Sequence, residues 1–173
     1  RASNIVRSMN QLSRTTDDYN ETCNIYEIIS NSLSIVKNQF ENRINLVVSV
    51  DEEIGNIKGN VGQLHQVFIN LLMNASQAID GQGFIRIEGM LVEDHIKIEI
   101  SDSGIGIKAE DINKITTPFF TTKEPGKGTG LGLSIGHKIV ESHKGIMRFK
   151  SELGKGTTVI IQFPLNDSIR NVS

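Results

Sequence analysis

Apolar positions along the chain change period several times, and each change marks an element. From Gly62 to Ile79 the residues Leu64, Val67, Phe68, Leu71, Leu72, Ala75 and Ala78 recur every three or four positions, which predicts a long helix with one buried face. A similar spacing from Ile25 to Glu41, with Ile28, Ile29, Leu33, Ile35 and Val36, predicts an earlier helix, and Leu131–Ser142 predicts a later one. Residues 1–18 carry Ile5, Met9 and Leu12 at helical spacing without proline or glycine, so they predict a helix that needs a partner surface. Asn45–Val50 is rich in branched side chains and predicts a strand, with a short one at Ile57–Lys58. Gly83–Leu91 and His95–Ile100 alternate apolar and polar residues, as an antiparallel hairpin with one face on a core does. Ile146–Ser151 and Thr157–Phe163 predict a closing hairpin, and residues 115–129, rich in Thr, Lys and Gly around Pro118 and Pro125, predict a mobile loop. The sum is an α+β two-layer sandwich: a mixed, mainly antiparallel sheet with helices on one face.

A chain of 173 residues with 38% hydrophobic and 22% charged residues has the composition of one globular domain. Its apolar runs fall far short of the ~20 residues of a membrane-spanning helix, no secretory signal opens it, and Arg1 reads as the start of an excised fragment. The expectation is a cytoplasmic domain without direct membrane contact. A net charge of −2, with two Tyr and seven Phe, argues against a nucleic-acid surface. Cys23, the single cysteine, makes no internal disulfide and reads as a small helix-face residue. The four histidines, His65, His95, His137 and His143, fit no metal-ligand spacing and read as surface or packing residues.

Three constellations bear chemistry. Asn70 and Asn74 lie four residues apart on the long helix and so share a face; their carboxamide oxygens suit Mg²⁺, a hard cation that takes oxygen ligands and shares its sphere with phosphates. A polar stripe meeting solvent is the plainer reading of that pair. Asp102-Ser103-Gly104-Ile105-Gly106-Ile107 follows a strand end, where a carboxylate can accept from a ligand amine and the glycines permit close approach. Gly104-x-Gly106-x-x-Ala109 also matches the dinucleotide fingerprint, with Glu124 near the ribose-acid offset, but a proline-broken loop replaces the required helix and parallel strand. Gly126-Lys127-Gly128-Thr129-Gly130-Leu131-Gly132-Leu133-Ser134 runs directly into a helix, so freed backbone N–H groups and a helix N-terminus face an anion together. Without Gly-Lys-Ser/Thr it is not a Walker A loop.

Taken in order, these residues closely resemble the histidine-kinase branch of the ATPase superfamily shared with gyrase B, Hsp90 and MutL. Asn70-Leu71-Leu72-Met73-Asn74-Ala75 resembles the N box, Asp102–Gly106 the G1 box, Pro118-Phe119-Phe120-Thr121-Thr122-Lys123 the F box, and Gly128–Leu133 the G2 box. Gly154-Lys155-Gly156-Thr157 resembles the last family motif. The resemblance implies a Bergerat-type fold over residues 21–167 that binds ATP with Mg²⁺, preceded at 1–20 by the remnant of a second dimerisation helix and followed at 168–173 by a polar tail. It implies Asn74 as metal ligand, with Asn70 beside the phosphates or metal, and Asp102 accepting the adenine amino group with Thr157 helping through water. Gly104, Gly106 and Ile107 would shape the base pocket. Lys123 would reach the phosphates from a lid over 116–130, and Gly128, Thr129, Gly130, Leu131, Gly132 and Leu133 would wrap them; Phe119 and Phe120 would anchor the lid.

Hydrolysing relatives carry a glutamate where this chain has Asn70, and an amide cannot take a proton from water. The resemblance therefore implies a protein-histidine kinase with Asn70, Asn74 and Lys123 as its catalytic residues, whose acceptor histidine lies on a dimerisation domain outside this fragment. A response-regulator receiver domain and a homodimeric parent follow as partners. None of the four histidines precedes Glu or Asp, as the acceptor does; their followers are Gln66, Ile96, Lys138 and Lys144. Thr116 stands where the F box usually has its first aromatic residue, and Lys144 replaces a common glycine, a change read as neutral. An ATP-holding regulatory module and an anti-sigma-type serine kinase are the alternatives.

Overall fold

The structure, a computed structural model, describes residues 19–123 and 128–165. The predicted first helix and the polar tail lie outside them. Five strands form the main sheet: β2 (Ile44–Val50), β4 (Gly83–Val92), β5 (His95–Asp102), β6 (Ile146–Glu152) and β7 (Gly156–Pro164), in the order β2-β4-β5-β7-β6. β1 (Glu21–Asn24) pairs with β3 (Asn56–Gly59) in a separate two-stranded sheet. The described helices are α1 (Ile25–Val36), α2 (Val61–Ala78) and α3 (Gly132–Ser142), with α2 packed between the other two.

Period-two patterning sends Ile85, Ile87, Ile96, Ile98, Ile100, Val159, Ile161 and Phe163 to one face, where they meet Leu64, Val67, Phe68, Leu71 and Leu72 of α2 in one core. Arg86, Lys97, Glu99 and Arg148 take the opposite face. The sheet is mixed because β2 runs parallel to β4, while the other pairs are antiparallel. A parallel neighbour requires a crossover, and α2 supplies it. At its start, the Asn60 side chain accepts from Gln63 N–H at 2.9 Å. At its end, the Ser76 carbonyl accepts from Ile79 N–H, and the Arg43 guanidinium donates to the Ser76 and Ile79 carbonyls.

Two expectations need correction. The helix predicted from Ile25 to Glu41, α1, stops at Val36, and 3₁₀ turns at Lys37–Gln39 and Glu41–Arg43 bury Phe40 before β2. Cys23 lies on β1, not on a helix face; fully buried, its thiol is pushed up to about 11 and stays protonated and inert.

Candidate active site

The C-terminal half of α2, the ends of β5 and β7, and the segment leading into α3 enclose a cavity of about 890 Å³. Gly104 makes its base possible. A Cβ there would sit 2.7 Å from the Ala78 carbonyl, so only glycine lets the turn after β5 close on the end of α2, where Ile105 N–H donates to Ala78 O at 2.9 Å.

At that end of the cavity Asp102 is buried, and its Oδ1 accepts from Gly104 N–H at 2.8 Å and Thr157 N–H at 3.3 Å. Burial raises the carboxyl above its usual pKa, and the two amides partly offset this. No described group donates to Oδ2, and no described buried side-chain atom lacks a partner, so Oδ2 opens onto the cavity as a free acceptor. Asp102 is the only carboxylate among the described lining residues. Ser151, unnoticed in the sequence, locks the surrounding turns: its Oγ accepts from Ile107 N–H at 2.8 Å, donates to Gly156 O at 2.8 Å and lies 2.9 Å from Thr157 Oγ1.

The opposite end is built from α2 and α3. Leu131 caps α3 without a side-chain hydrogen bond, so the leading N–H groups of that helix have no side-chain acceptor. Gly132 and Leu133 line the cavity there. Asn70 Nδ2 donates to Gly132 O at 3.4 Å, tying the two helices together. One turn on, Asn74 Oδ1 accepts from Lys123 Nζ at 3.4 Å, and the same ammonium donates to Gln77 Oε1. Partial burial pulls the Lys123 pKa below its usual value. Gln77, absent from the sequence reading, thus holds the lysine beside Asn74.

Phe119 N–H donates to Gly130 O at 2.9 Å and closes the base of the loop between them. Gly130 has φ +66°, and a Cβ on it would lie 2.4 Å from the Phe119 carbonyl carbon. Phe119 itself holds φ 68° and is 72% exposed, so its ring does not anchor the loop; Phe120 is half-buried and lines the cavity.

The structure brings Asn70, Asn74, Asp102, Gly106, Ile107, Lys123, Gly128, Thr129, Gly130, Gly132, Leu133 and Thr157 into the lining of one cavity. Gly104 and Leu131 are not on it: Gly104 packs against Ala78, and Leu131 is buried in the core. Thr157 contributes its backbone N–H to Asp102, while its hydroxyl turns to Ser151.

Residues 59–167 match the family described as histidine kinase-, DNA gyrase B- and HSP90-like ATPase. Sensor histidine kinase ZraS of Escherichia coli (strain K12) is 35% identical over 167 residues, covering 96% of this chain and 36% of the relative. Sporulation kinase E of Bacillus subtilis (strain 168) is 36% identical over 152 residues, covering 86% of this chain and 20% of its own length. This chain therefore spans about a third of the first relative and a fifth of the second. Among solved structures, the catalytic domain of histidine kinase ThkA in a nucleotide-free form superposes with a TM-score of 0.74 at 31% identity, over 83% of this chain and 94% of that one. Mycobacterial sensor histidine kinase MprB gives a TM-score of 0.74 at 25% identity, over 84% and 97%. The chain belongs to the histidine kinase-, DNA gyrase B- and HSP90-like ATPase family, with the catalytic domains of histidine kinases as its kin.

Proposed function

We propose that this chain binds ATP with Mg²⁺ and passes the γ-phosphoryl group to a histidine on a dimerisation domain of its parent kinase. The observation that carries this reading is Asn70, an amide donating to Gly132 O where a hydrolase of the family needs a base. Asp102 cannot stand in for that base. Its turn sits against Ala78, eight residues along α2 and so about 12 Å from Asn70. ATP would be held without efficient hydrolysis until an imidazole from outside attacks.

Each end of the cavity has a task. Asp102 Oδ2 accepts from the adenine amine, and the Gly104 and Thr157 amides fix the direction of that acceptor. The N-terminus of α3 faces the phosphates with open N–H groups and the positive end of its dipole. Lys123 brings a compact positive charge to them from the loop after Phe120. Asn74 fits a hard cation, because its Oδ1 already faces a positive charge in the cavity as a neutral oxygen donor. Asn74 would hold Mg²⁺, whose charge, when bound, would offset that of the phosphates. Phosphoryl transfer asks mainly for positioning and charge stabilisation, and these residues supply both.

The parent would then hold a homodimeric helical domain before Tyr19 and would hand the phosphoryl group on to a response-regulator receiver domain, in the cytoplasm. No described helix is long and apolar enough to cross a membrane. The test is to mix this chain with Mg-ATP labelled at the γ-phosphate and the separately produced dimerisation domain. Label that is stable to alkali and lost in acid, on one histidine, is expected. Acid-stable label would point to a hydroxyl acceptor, and nucleotide binding without any label would point to a regulatory module.

A further inference from the structure

His143 lies at the end of the molecule away from the cavity, yet the structure ties it to both helices that build the cavity wall. It is the C-terminal cap of α3 and only 5% exposed. Its Nε2 accepts from Asn60 N–H at 2.9 Å, and its Nδ1 donates to Ile139 O at 2.7 Å, which together define a neutral ring protonated on Nδ1. Burial favours that neutral form. Asn60 is the N-cap of α2. Gly59 leaves the room: a Cβ there would stand 2.2 Å from the imidazole.

A second layer sits on this contact. The Tyr19 ring meets the His143 ring edge-on, with centroids 5.1 Å apart. Its hydroxyl lies 3.0 Å from Gln63 Oε1, in the first turn of α2, and 3.2 Å from Ser142 Oγ, in the last turn of α3. Glu21, two residues on, accepts from Val61 N–H at 3.0 Å. The start of α2 is therefore held by His143 from α3 and by Glu21 and Tyr19 from the incoming chain.

A helix moves as a rod, so an axial shift imposed at Asn60 reaches Asn70, about 15 Å away, almost undiminished. We propose that His143 is a positioning residue for the nucleotide site, and that Tyr19 supports it in fixing the axial setting of α2 and thus of Asn70 and Asn74. This rests on the reading of those two residues as the phosphate and metal end of the cavity. Tyr19 and His143 then bear on the far end of α2 from outside the cavity.

The test uses the side-chain amide resonances of Asn70 and Asn74 in the nucleotide-free protein, with calorimetric titration by Mg-ADP alongside. His143→Leu keeps the bulk and removes both hydrogen bonds; it is expected to shift both resonances and weaken ADP binding by about tenfold. His143→Gln can accept from Asn60 and donate to Ile139, and is expected to restore both readouts. Tyr19→Phe keeps the ring and loses the hydroxyl contacts, so it carries the test if His143→Leu does not fold, with a smaller shift of the same resonances expected. Unmoved Asn70 and Asn74 resonances in a folded variant, or a Gln variant as impaired as the Leu variant, would overturn the proposal. Wild-type protein that ignores Mg-ADP would instead refute the nucleotide site, and the resonances would still decide the clasp.

Discussion

Replacing Asp102 by Asn separates the two roles of the carboxylate. The Gly104 and Thr157 amides are both donors to Oδ1, so only an oxygen can stand at that position, and they pin the Asn carbonyl there. The new NH₂ group must then point into the cavity, where Oδ2 stands in the native protein. A donor would meet the adenine amine, itself a donor, and a charge-assisted hydrogen bond would be lost. Such a bond is worth about 1.5–3 kcal/mol, which weakens ATP by about 10- to 150-fold. Stability is expected to move the other way, because the buried charge is removed while both backbone bonds remain. The sign follows from the raised folded-state pKa of this carboxyl. Its contribution to stability is fully present below the ordinary value of 3.8 and is lost as pH rises through the folded value. Asn suffers no such loss, so the unfolding free energy of the variant should gain on that of the native protein across this window and stay ahead above it. Calorimetric titration with ATP, and denaturant unfolding from pH 3 upward, measure both. A variant that binds ATP as tightly as the native chain would refute the assignment of Asp102 to adenine, and one less stable at neutral pH would refute the electrostatic argument.

Other substitutions address the opposite end of the cavity and the end of α3. Asn74→Ala should raise the Kd for ATP about tenfold in magnesium while leaving the Kd in EDTA unchanged, as calorimetry under both conditions would reveal. Lys123→Met should weaken ATP about tenfold and leave adenosine binding unaltered, since the ammonium serves the phosphates and not the base. Lys144 follows the cap of α3 with φ 58°, where Gly145 N–H donates to Val140 O and Lys144 N–H to Glu141 O. That left-handed position favours glycine, so Lys144→Gly should stabilise the domain by about 1 kcal/mol and raise the thermal midpoint by about 2–4 °C. The replacement at 144 is thus strained rather than neutral.

The elements that announced themselves in the sequence are those whose pattern is local. Leu64, Val67, Phe68, Leu71 and Leu72 mark α2 by their spacing alone, and strict alternation marks β4 and β5. β1 escaped notice because Glu21–Asn24 is only four residues long and is held as a strand by β3, more than thirty residues away. Helical periodicity continued through Ile35 and Val36 but could not foretell that Phe40 would bury itself by tightening the chain into 3₁₀ turns. At the site, the ordered motifs pointed to Asn70, Asn74, Asp102 and Gly106, which do line one cavity, because close backbone approach restricts residue types. Ser151 and Gln77 left no comparable signal: a serine in a strand and a glutamine on a helix are common, and only the fold shows what they hold. His143 was equally silent, since no spacing distinguishes a histidine that caps one helix and fastens another.

Selection of an adenine amine by the anionic acceptor at Asp102 is what the proposed nucleotide site depends on. Titrating the chain with Mg-ATP and Mg-GTP side by side tests it most directly, because guanine presents a carbonyl oxygen where adenine presents the amine, and two acceptors repel. Saturable binding of ATP, with GTP weaker by at least about tenfold, is the predicted result. Equal affinity for the two nucleotides, or no binding of either, would contradict it.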